Sequence, residues 1–353
     1  MSQQIHTVVM YPRPHPDPIV ALWLLREFGR EKFPGIETAK VEFWNQVPAG
    51  KTSEQLDVEG TILIDLGGGK FDHHQEEHHN DKTTCATTLV ARYLGIFELP
   101  ELKKLLEYVR RDDLEGRGIT SKDPIDRAFG LSAIIMNLNR DYPDHPEYVV
   151  DMVTRIFVAH YHEEYKRKVL MPQEWAELQA TGKAHQFIIQ AGNEQLRVVM
   201  IESDSKALVG FLRAVGDIQA DVVVQRVASG HTNIVTRQTQ RRLNLLRTVA
   251  EVRKAEASKL GVQLNVSQEQ WEKPCRLEGV DAWYFDTAAN TIQNGGAAAD
   301  NVPTTTLSLD EIKAVLLQTL PHSVPTRSPS PLRAPRAPIT QVAAEISLSD
   351  LQR

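Results

Sequence analysis

The chain has 353 residues, with 40 Lys and Arg residues against 46 Asp and Glu residues, which gives a formal net charge of −6. This length predicts two domains, and a composition of 41% hydrophobic and 24% charged residues excludes collagen and a small disulfide scaffold. The negative charge argues against non-specific coating of nucleic acid, because such binding needs a large basic surface. It does not exclude an enzyme that cuts phosphodiesters with bound metal ions.

The cysteines and the apolar segments bear on the cellular compartment. Cys85 and Cys275 lie far apart and form no CxxC pair, which predicts a reducing compartment and no cysteine-based metal cluster. The longest apolar stretches, near residues 19–25 and 198–201, are too short to span a membrane. The first residues do not have the pattern of a secretion signal. We therefore expect a cytoplasmic protein without a membrane partner.

Predicted strands and helices alternate over the first hundred residues. The strands are expected at residues 6–11, 40–44 and 61–66, and the helices at residues 18–28, 84–94 and 101–111. Such alternation predicts a parallel α/β sheet. Chemistry in these sheets gathers at the carboxyl ends of the strands, so the polar residues that follow each strand are the ones of interest.

The remaining chain predicts a second domain and a tail. A long helix is expected at residues 144–170, and a second, smaller α/β block follows a helical connector. Six of the 19 prolines lie in residues 321–338, a composition that cannot form a packed core. The predicted domains are residues 1–170 for the metal-binding domain, 171–190 for the connector, 191–320 for the second domain and 321–353 for a flexible tail rich in Pro, Ser and Arg.

Four groups of potential metal ligands follow the ends of predicted elements. In chain order they are His15 with Asp17, Asp65, the run Asp72-His73-His74, and the pair Asp112-Asp113. Taken singly, each group is also explained by a rigid turn or by solvated side chains. Taken together, they lie where elements of one sheet end, so we expect them to converge. Carboxylates combined with imidazoles suit Mn²⁺, and two such ions can activate water and clamp a phosphoryl group.

The third group carries a family resemblance. The segment FDHHQ resembles the signature of the DHH phosphoesterase superfamily, and the segments PHPDPIVALWLL, TILIDLGGGKFDHHQEE, KTTCATTLVARYLG and RRDDLEG occur in the matching order. The layout is most similar to the Myg-type branch (melanocyte-proliferating-gene-like proteins), which is associated with RNA exonuclease activity. The resemblance covers residues 7–120 well. It implies a parallel-sheet DHH-type catalytic domain, a smaller α/β C-terminal domain, and a cleft between them.

The resemblance also implies roles for the potential ligands. Metal ligands would be His15, Asp17, Asp65, His73 and Asp112, with Asp113 as the alternative to Asp112. Asp65 would bridge two ions, Asp72 would orient the imidazoles, and His74 would contact the substrate phosphate and stabilise the transition state. The superfamily usually has a further His or Asp shortly before the HxD motif, and residues 10–14 hold no such ligand here.

Candidate substrate-binding residues lie in both domains. Thr84 precedes a predicted helix, whose N-terminus could bind phosphate. In the second domain, Gly230, His231 and Asn233 resemble the GH-containing loop of DHH-associated domains, although an ordinary hairpin turn explains them equally well. Arg237 suits a phosphate contact, and a solvated position explains it nearly as well.

The function that the resemblance implies is hydrolysis. We expect a manganese-dependent phosphodiesterase or exonuclease-like hydrolase that cuts short single-stranded RNA or DNA, or a small nucleotide, by metal-activated water. Two Mn²⁺ ions are expected, with Mg²⁺ or Co²⁺ as alternatives. The competing hypothesis is a non-catalytic regulatory module that binds metal or nucleotide on the same fold. A homodimer and partner docking through residues 321–353 are further expectations.

Overall fold

The computed structural model describes residues 4–75, 81–116, 122–214, 218–238, 243–295 and 301–324. The chain divides into two compact units, Met1–Glu177 and Leu178–Arg353. Of the predicted connector, the first part lies in helix α8 (Met171–Ala180) and the last part begins strand β4 (Ala184–Ala191). Each unit has its own sheet and its own buried core.

The first unit is built on three parallel strands. They are β1 (Thr7–Met10), β2 (Lys40–Phe43) and β3 (Thr61–Leu63), in the order β2-β1-β3. The runs TVVM and TIL are apolar and buried, as expected for a central and a neighbouring strand of a covered parallel sheet. Strand β3 is shorter than predicted because the backbone turns at Asp65, where φ is +56°.

Helices surround this sheet. They are α1 (Pro16–Phe28), α2 (Ser53–Val58), α3 (Ala86–Leu94), α4 (Lys103–Glu115), α5 (Pro124–Phe129), α6 (Leu131–Asp141) and α7 (Pro146–Tyr165), followed by a π-helical turn (Lys166–Leu170) that continues into α8. Helix α1 is buried along most of its length, including every residue from Ile19 to Leu25. A helix that is apolar on all sides is a core helix, and α1 packs against α3, α4 and α7.

Two differences from the predicted helix boundaries bear on the candidate site residues. Helix α3 begins at Ala86, with Cys85 as its N-cap, so Thr84 precedes the helix. Helix α4 continues to Glu115, four residues beyond its predicted end. The pair Asp112-Asp113 therefore lies within the last turns of a helix, where successive side chains point in different directions.

The second unit contains a six-stranded sheet. Its strands are β4, β5 (Glu194–Glu202), β6 (Val222–Arg226), β7 (Thr232–Thr236), β8 (Tyr284–Asp286) and β9 (Thr291–Gln293), in the order β4-β5-β6-β7-β9-β8. The pair β5–β6 is parallel and is joined through α9 (Lys206–Ala214), and the other neighbouring pairs are antiparallel. The protein is thus a mixed α/β fold with a parallel three-stranded sheet and a separate six-stranded sheet.

Three helices and a short turn complete the second unit. The helices are α10 (Leu246–Leu260), α11 (Gln268–Glu272) and α12 (Leu309–Thr319), and the 3-10 turn is Leu320–His322. The main-chain N–H of Asn244 donates to the carbonyl of Ser323 at 2.7 Å, so the first residues of the predicted tail belong to the folded second unit. The rest of the predicted tail, residues 325–353, lies outside the described residues. In the described ranges, no helix is long and apolar enough to cross a membrane.

A buried arginine ties α10 to the chain that follows it. Arg253 is fully buried. Its guanidinium donates to the main-chain carbonyls of four residues: Trp271 at 2.8 Å, Lys273 at 2.9 Å, Trp283 at 3.3 Å, and Cys275. A single side chain thereby satisfies carbonyls at the end of α11 and in the segment that follows it, which allows this segment to be buried.

Candidate metal centre

The fold of the first unit gathers four of the predicted ligands at one place. His15 follows β1, Asp65 follows β3, His73 lies in the loop after Asp65, and Asp113 comes from the end of α4. The His15 Nε2 atom lies 3.2 Å from Asp113 Oδ1 and 3.5 Å from Asp65 Oδ2. The His73 Nε2 atom lies 3.2 Å from Asp65 Oδ1 and 3.3 Å from Asp113 Oδ2. We call these four residues the acid–imidazole cluster.

Each of the two carboxylates of the cluster faces both imidazoles. Asp65 Oδ2 is near His15 and Asp65 Oδ1 is near His73. Asp113, on α4, likewise has Oδ1 near His15 and Oδ2 near His73. The pattern divides the cluster into two halves, one around each imidazole. Carboxylates shared in this way could serve a pair of adjacent cations.

Three buried atoms of the cluster lack hydrogen-bond partners. They are Asp65 Oδ1, His73 Nε2 and Asp113 Oδ2. Buried polar atoms are nearly always hydrogen-bonded, so three that face one another in this way form a donor set that a cation would satisfy. Ligands held about 2.1 Å from one ion lie about 3.0 to 3.4 Å apart, which agrees with the spacing of this cluster. The residues therefore fit a divalent metal ion, and carboxylate with imidazole is a donor set that suits Mn²⁺.

The loop that carries Asp65 has a demanding backbone. Asp65 adopts a left-handed conformation, which aspartate tolerates better than most residues, and its N–H donates to the carbonyl of Phe71 at 2.9 Å. At Gly67, φ is +73° and an added Cβ would lie 2.3 Å from Val47 Cγ2. The glycine run after β3 is thus needed to close the loop that positions Asp65.

The DHH run places its side chains around this loop. Asp72 accepts hydrogen bonds from the Gly68 N–H at 2.7 Å, the His74 N–H at 3.0 Å and His74 Nδ1 at 2.9 Å. Burial raises the pKa of Asp72, but these hydrogen bonds outweigh that effect and the pKa is lowered. Asp72 is therefore a charged anchor for His74, whose side chain is 65% exposed at the edge of the cluster.

Asp17 does more than a metal ligand would, because it also forms hydrogen bonds with the start of a helix. It is fully buried, and its carboxylate accepts hydrogen bonds from the N–H groups of Ala86 and Thr87, both at 2.8 Å, at the start of α3. Asp17 thus joins α1 to the N-terminus of α3. Its oxygens still lie within 4.8 Å of ligand atoms of His15 and Asp65, and of His73 and Asp113, so it remains a candidate ligand.

The double role of Asp17 leads to a stability prediction. Asn in place of Asp17 has one acceptor oxygen, so one N–H of α3 would face an amide NH₂ group. We expect D17N to lower the free energy of unfolding of the metal-free protein by about 1 kcal/mol, because the lost hydrogen bond outweighs the relief of repulsion from Asp65 and Asp113. Urea unfolding of the metal-free protein measures this, with Asp151→Asn on the exposed face of α7 as the control. Equal stability of D17N and the wild-type protein would contradict the anchoring role.

Asp112 and Asp113 have different surroundings. Asp113 belongs to the cluster, whereas Asp112 accepts a hydrogen bond from Ser132 Oγ, which is itself 2.9 Å from the Tyr108 hydroxyl. The structure therefore brings Asp113, the alternative ligand of the fourth motif, into the cluster, and a metal role for Asp112 stays a prediction. Sequence reasoning also missed Ser132, because no motif marks a serine on α6 as the partner of a carboxylate on α4.

The cluster holds excess negative charge, and protons compensate for it. Burial lowers the pKa of His73, but Asp65 and Asp113 outweigh burial and raise it to about 9. Burial, with the charges of Asp65 and Asp113, raises the pKa of Asp17 to about 6. Burial lowers the pKa of His15, but the hydrogen bond to Asp113 and the charge of Asp65 outweigh it and raise the pKa. A bound cation would replace these protons.

Metal binding should consequently release protons. Below pH 9 the His73 imidazole is largely protonated in the metal-free protein, and a ligand must be neutral, so a proton leaves when the metal binds. We expect Mn²⁺ affinity to rise as pH is increased from 6 to 9, with release of about one proton at pH 8. Titration calorimetry in buffers of different ionisation enthalpy measures this number, and H73A should release fewer protons. A binding heat that is independent of the buffer would contradict the prediction.

The predicted substrate-binding residues have structural partners. Thr84 Oγ1 donates to Asp81 and accepts from Arg92 Nη1, the latter at 2.9 Å. In the β6–β7 hairpin, Gly230 has φ +90°, as a turn requires. Ring nitrogens of His231 lie 2.8 Å from Ser229 Oγ and 3.0 Å from the Val302 carbonyl.

The remaining hairpin residues also serve the second unit. Asn233 Oδ1 accepts from the Asn294 N–H at 3.1 Å, and the Arg237 N–H donates to the Asp221 carbonyl at 2.8 Å. A Cβ at Gly295 would lie 2.6 Å from the His231 ring, so this glycine and His231 pack directly together. These contacts favour the ordinary hairpin over a dedicated ligand loop, and a substrate role for Gly230, His231, Asn233 and Arg237 stays a prediction.

Comparison with known proteins adds little to this description. No family model matches the chain, and no curated protein matches it. Among solved structures, the chain is similar to the crystal structure of an uncharacterized protein from Helicobacter pylori G27, at 10% identity, over 90% of this chain and 99% of that chain, with a TM-score of 0.25. A score this low supports no conclusion about fold or function.

Proposed function

We propose that the chain is a metal-dependent phosphoesterase that hydrolyses phosphodiester bonds. The observation that carries the proposal is the acid–imidazole cluster, in which Asp65 and Asp113 each present one oxygen to His15 and the other to His73. Two shared carboxylates between two imidazoles suit a pair of Mn²⁺ ions, with Mg²⁺ or Co²⁺ as alternatives. The resemblance of FDHHQ and its flanking segments to DHH phosphoesterases supports the same chemistry.

The residues in and beside the cluster would have different roles. His15 and His73 would each hold one ion, and Asp65 and Asp113 would hold both. Bound ions would supply Lewis acidity, which polarises a phosphoryl oxygen and lowers the pKa of water. Asp72 keeps its charge and holds His74 by two hydrogen bonds, so the exposed imidazole is oriented to contact a phosphate oxygen. His74 is thus the residue of the DHH run that we assign to the substrate.

The proposed substrate is a short single-stranded oligonucleotide or a small nucleotide. The net charge of −6 disfavours a long basic track along a polymer, and the cluster concentrates its chemistry at one point. The Myg-type resemblance favours RNA or DNA over other phosphoesters. A metal site of this kind contacts only the scissile phosphate and the groups next to it, so a short substrate is sufficient.

The test is hydrolysis by the full chain together with metal analysis. We expect purified protein to bind two Mn²⁺ ions per chain and to hydrolyse bis-p-nitrophenyl phosphate and a short oligonucleotide with Mn²⁺, and to lose this activity in EDTA. His145→Ala, an exposed histidine of the same unit, is the matched control and should keep full activity. Two bound ions without any hydrolysis of either substrate would reject the proposal.

One observation favours a second function, a non-catalytic regulatory module. Residues 10–14 supply no His or Asp, so the half of the cluster around His15 has fewer ligands than the superfamily pattern implies. A cluster of this kind could hold one ion or a nucleotide and report it to a partner. One ion or none per chain, with nucleotide binding and no turnover, would favour the module over the enzyme.

A further inference from the structure

A pocket of about 790 Å³ lies beside the acid–imidazole cluster in the first unit. His15 is common to both, because its Nε2 atom belongs to the cluster and its side chain lines the pocket. The opposite wall is formed by α6, including Ile135, Met136 and Arg140. Pockets of this volume hold organic ligands of the size of a nucleotide, whereas an inorganic anion alone would fill only a part.

Two guanidinium groups give this pocket a positive character. Arg13 and Arg140 both line it, and both are exposed. Arg140 Nη1 donates to the neutral amide of Asn137 at 3.3 Å, and among the described residues no carboxylate pairs with either arginine. Some other arginines of this unit are paired: Arg155 and Arg167, for example, form ion pairs with acids one helical turn away. Arg13 and Arg140 are therefore available for an anion from outside the chain.

The pocket also has an apolar wall and a fixed shape. Ile135 is buried, Met136 is 51% exposed, and both line the pocket with Pro143. Asn139 Nδ2 donates to the Pro14 carbonyl at 2.9 Å, which ties α6 to the loop that carries Arg13 and His15. The carboxylate of Asp112, also in the lining, accepts a hydrogen bond from Ser132 Oγ. An apolar surface beside two guanidinium groups suits a ligand with a flat apolar part and an anionic part.

We propose that this pocket binds one nucleoside monophosphate unit of the substrate, with its phosphate on Arg13 and Arg140 and its base along Ile135 and Met136. The pocket stands on its own geometry, and its assignment to a substrate rests on the proposed function. Because His15 is shared, the bound unit would adjoin the scissile phosphate at the cluster. The substrate class is thus narrowed to a nucleotide or short oligonucleotide with a phosphate next to the bond that is cut.

Binding to the metal-free protein tests the pocket without using activity. In EDTA, titration calorimetry with adenosine 5′-monophosphate should show binding at least about 10-fold tighter than with adenosine or with inorganic phosphate. R13A and R140A should each weaken binding of the monophosphate about 10-fold, and R13K should recover part of it. R155A, an exposed arginine of the same unit, is the control. Wild-type affinity in both R13A and R140A, or no binding of the monophosphate, would overturn the proposal.

Activity separates this inference from the proposed function. With Mn²⁺, R140A should raise KM for a 5′-phosphorylated dinucleotide about 10-fold, and the control R155A should leave both this KM and hydrolysis of bis-p-nitrophenyl phosphate unchanged. Hydrolysis of both substrates with an unaltered KM would reject the pocket and keep the enzyme. Tight binding of the monophosphate that depends on Arg13 and Arg140, without hydrolysis of any substrate, would keep the pocket and reject the enzyme.

Discussion

Replacing Asp65 by asparagine should abolish Mn²⁺ binding at the acid–imidazole cluster and reduce kcat for bis-p-nitrophenyl phosphate about 1,000-fold or more. The carboxylate faces both imidazoles, so its loss removes a charged ligand from both halves of the cluster. Lewis-acid stabilisation of a phosphoryl group contributes several kcal/mol, and each 1.36 kcal/mol corresponds to about 10-fold in rate. Elemental analysis and steady-state kinetics measure the two effects separately.

The variant should still fold. Asparagine tolerates the left-handed backbone that Asp65 adopts, and the variant keeps the main-chain hydrogen bond from residue 65 to the Phe71 carbonyl. We expect its free energy of unfolding without metal to stay within about 1 kcal/mol of wild type. Asp113→Asn should resemble Asp65→Asn, whereas Asp112→Asn should change kcat less than about 10-fold, because the Asp112 carboxylate faces Ser132. The assignment fails if Asp112→Asn abolishes activity and Asp113→Asn does not.

Replacing Arg253 by leucine should destabilise the second unit by roughly 3 to 5 kcal/mol. Leucine has no donor, so the main-chain carbonyls of Trp271, Lys273 and Trp283 would lose the partner that Arg253 gives them. The Cys275 carbonyl would lose one of its two hydrogen bonds and keep the one from the Phe285 N–H. Arg253→Lys should recover only a part, since a single ammonium group cannot reach carbonyls on several sides. Hydrogen exchange of the full chain, followed by mass spectrometry over residues 268–286, reports the loss locally.

The control for this experiment lies on the same helix. Arg247 is exposed at the start of α10, and Arg247→Leu should change protection by less than about 0.5 kcal/mol. Because the chain divides into two compact units, protection in residues 7–63 should not change in either variant. Unchanged protection of residues 268–286 in Arg253→Leu would show that water satisfies the carbonyls, and the proposed role of the buried guanidinium would be wrong.

Short-range patterns predicted the elements that build the first unit. The apolar runs TVVM and TIL form strands, the apolar run after Pro18 forms the central helix, and the glycine run after β3 forms the sharp loop. These features depend on neighbouring residues, so they can be read from the chain. The strand ends also indicated where potential ligands lie, because parallel strands present their carboxyl ends on one edge.

The choice between Asp112 and Asp113 could not be made in this way. Asp113 lies four residues after the buried Val109, and Asp112 lies three residues after it, so helical periodicity places both near the buried face of α4. The decision comes from α6, where Ser132 engages Asp112 and leaves Asp113 to the cluster. That contact joins residues far apart in the chain and has no local pattern.

Asp17 and Arg13 also make contacts that the sequence did not predict. The sequence alone determined that an HxD motif follows the first strand, and it predicted a ligand in Asp17 without its contacts to the start of α3. It did not indicate that Arg13 shares a pocket with Arg140, 127 positions further on. Local patterns determined which residue types stand at the ends of the elements, because they depend on periodicity and turn chemistry. Only the packing of α3 and α4 against α1, and of α6 against α7, decided which side chains meet, because those contacts depend on long-range burial and charge.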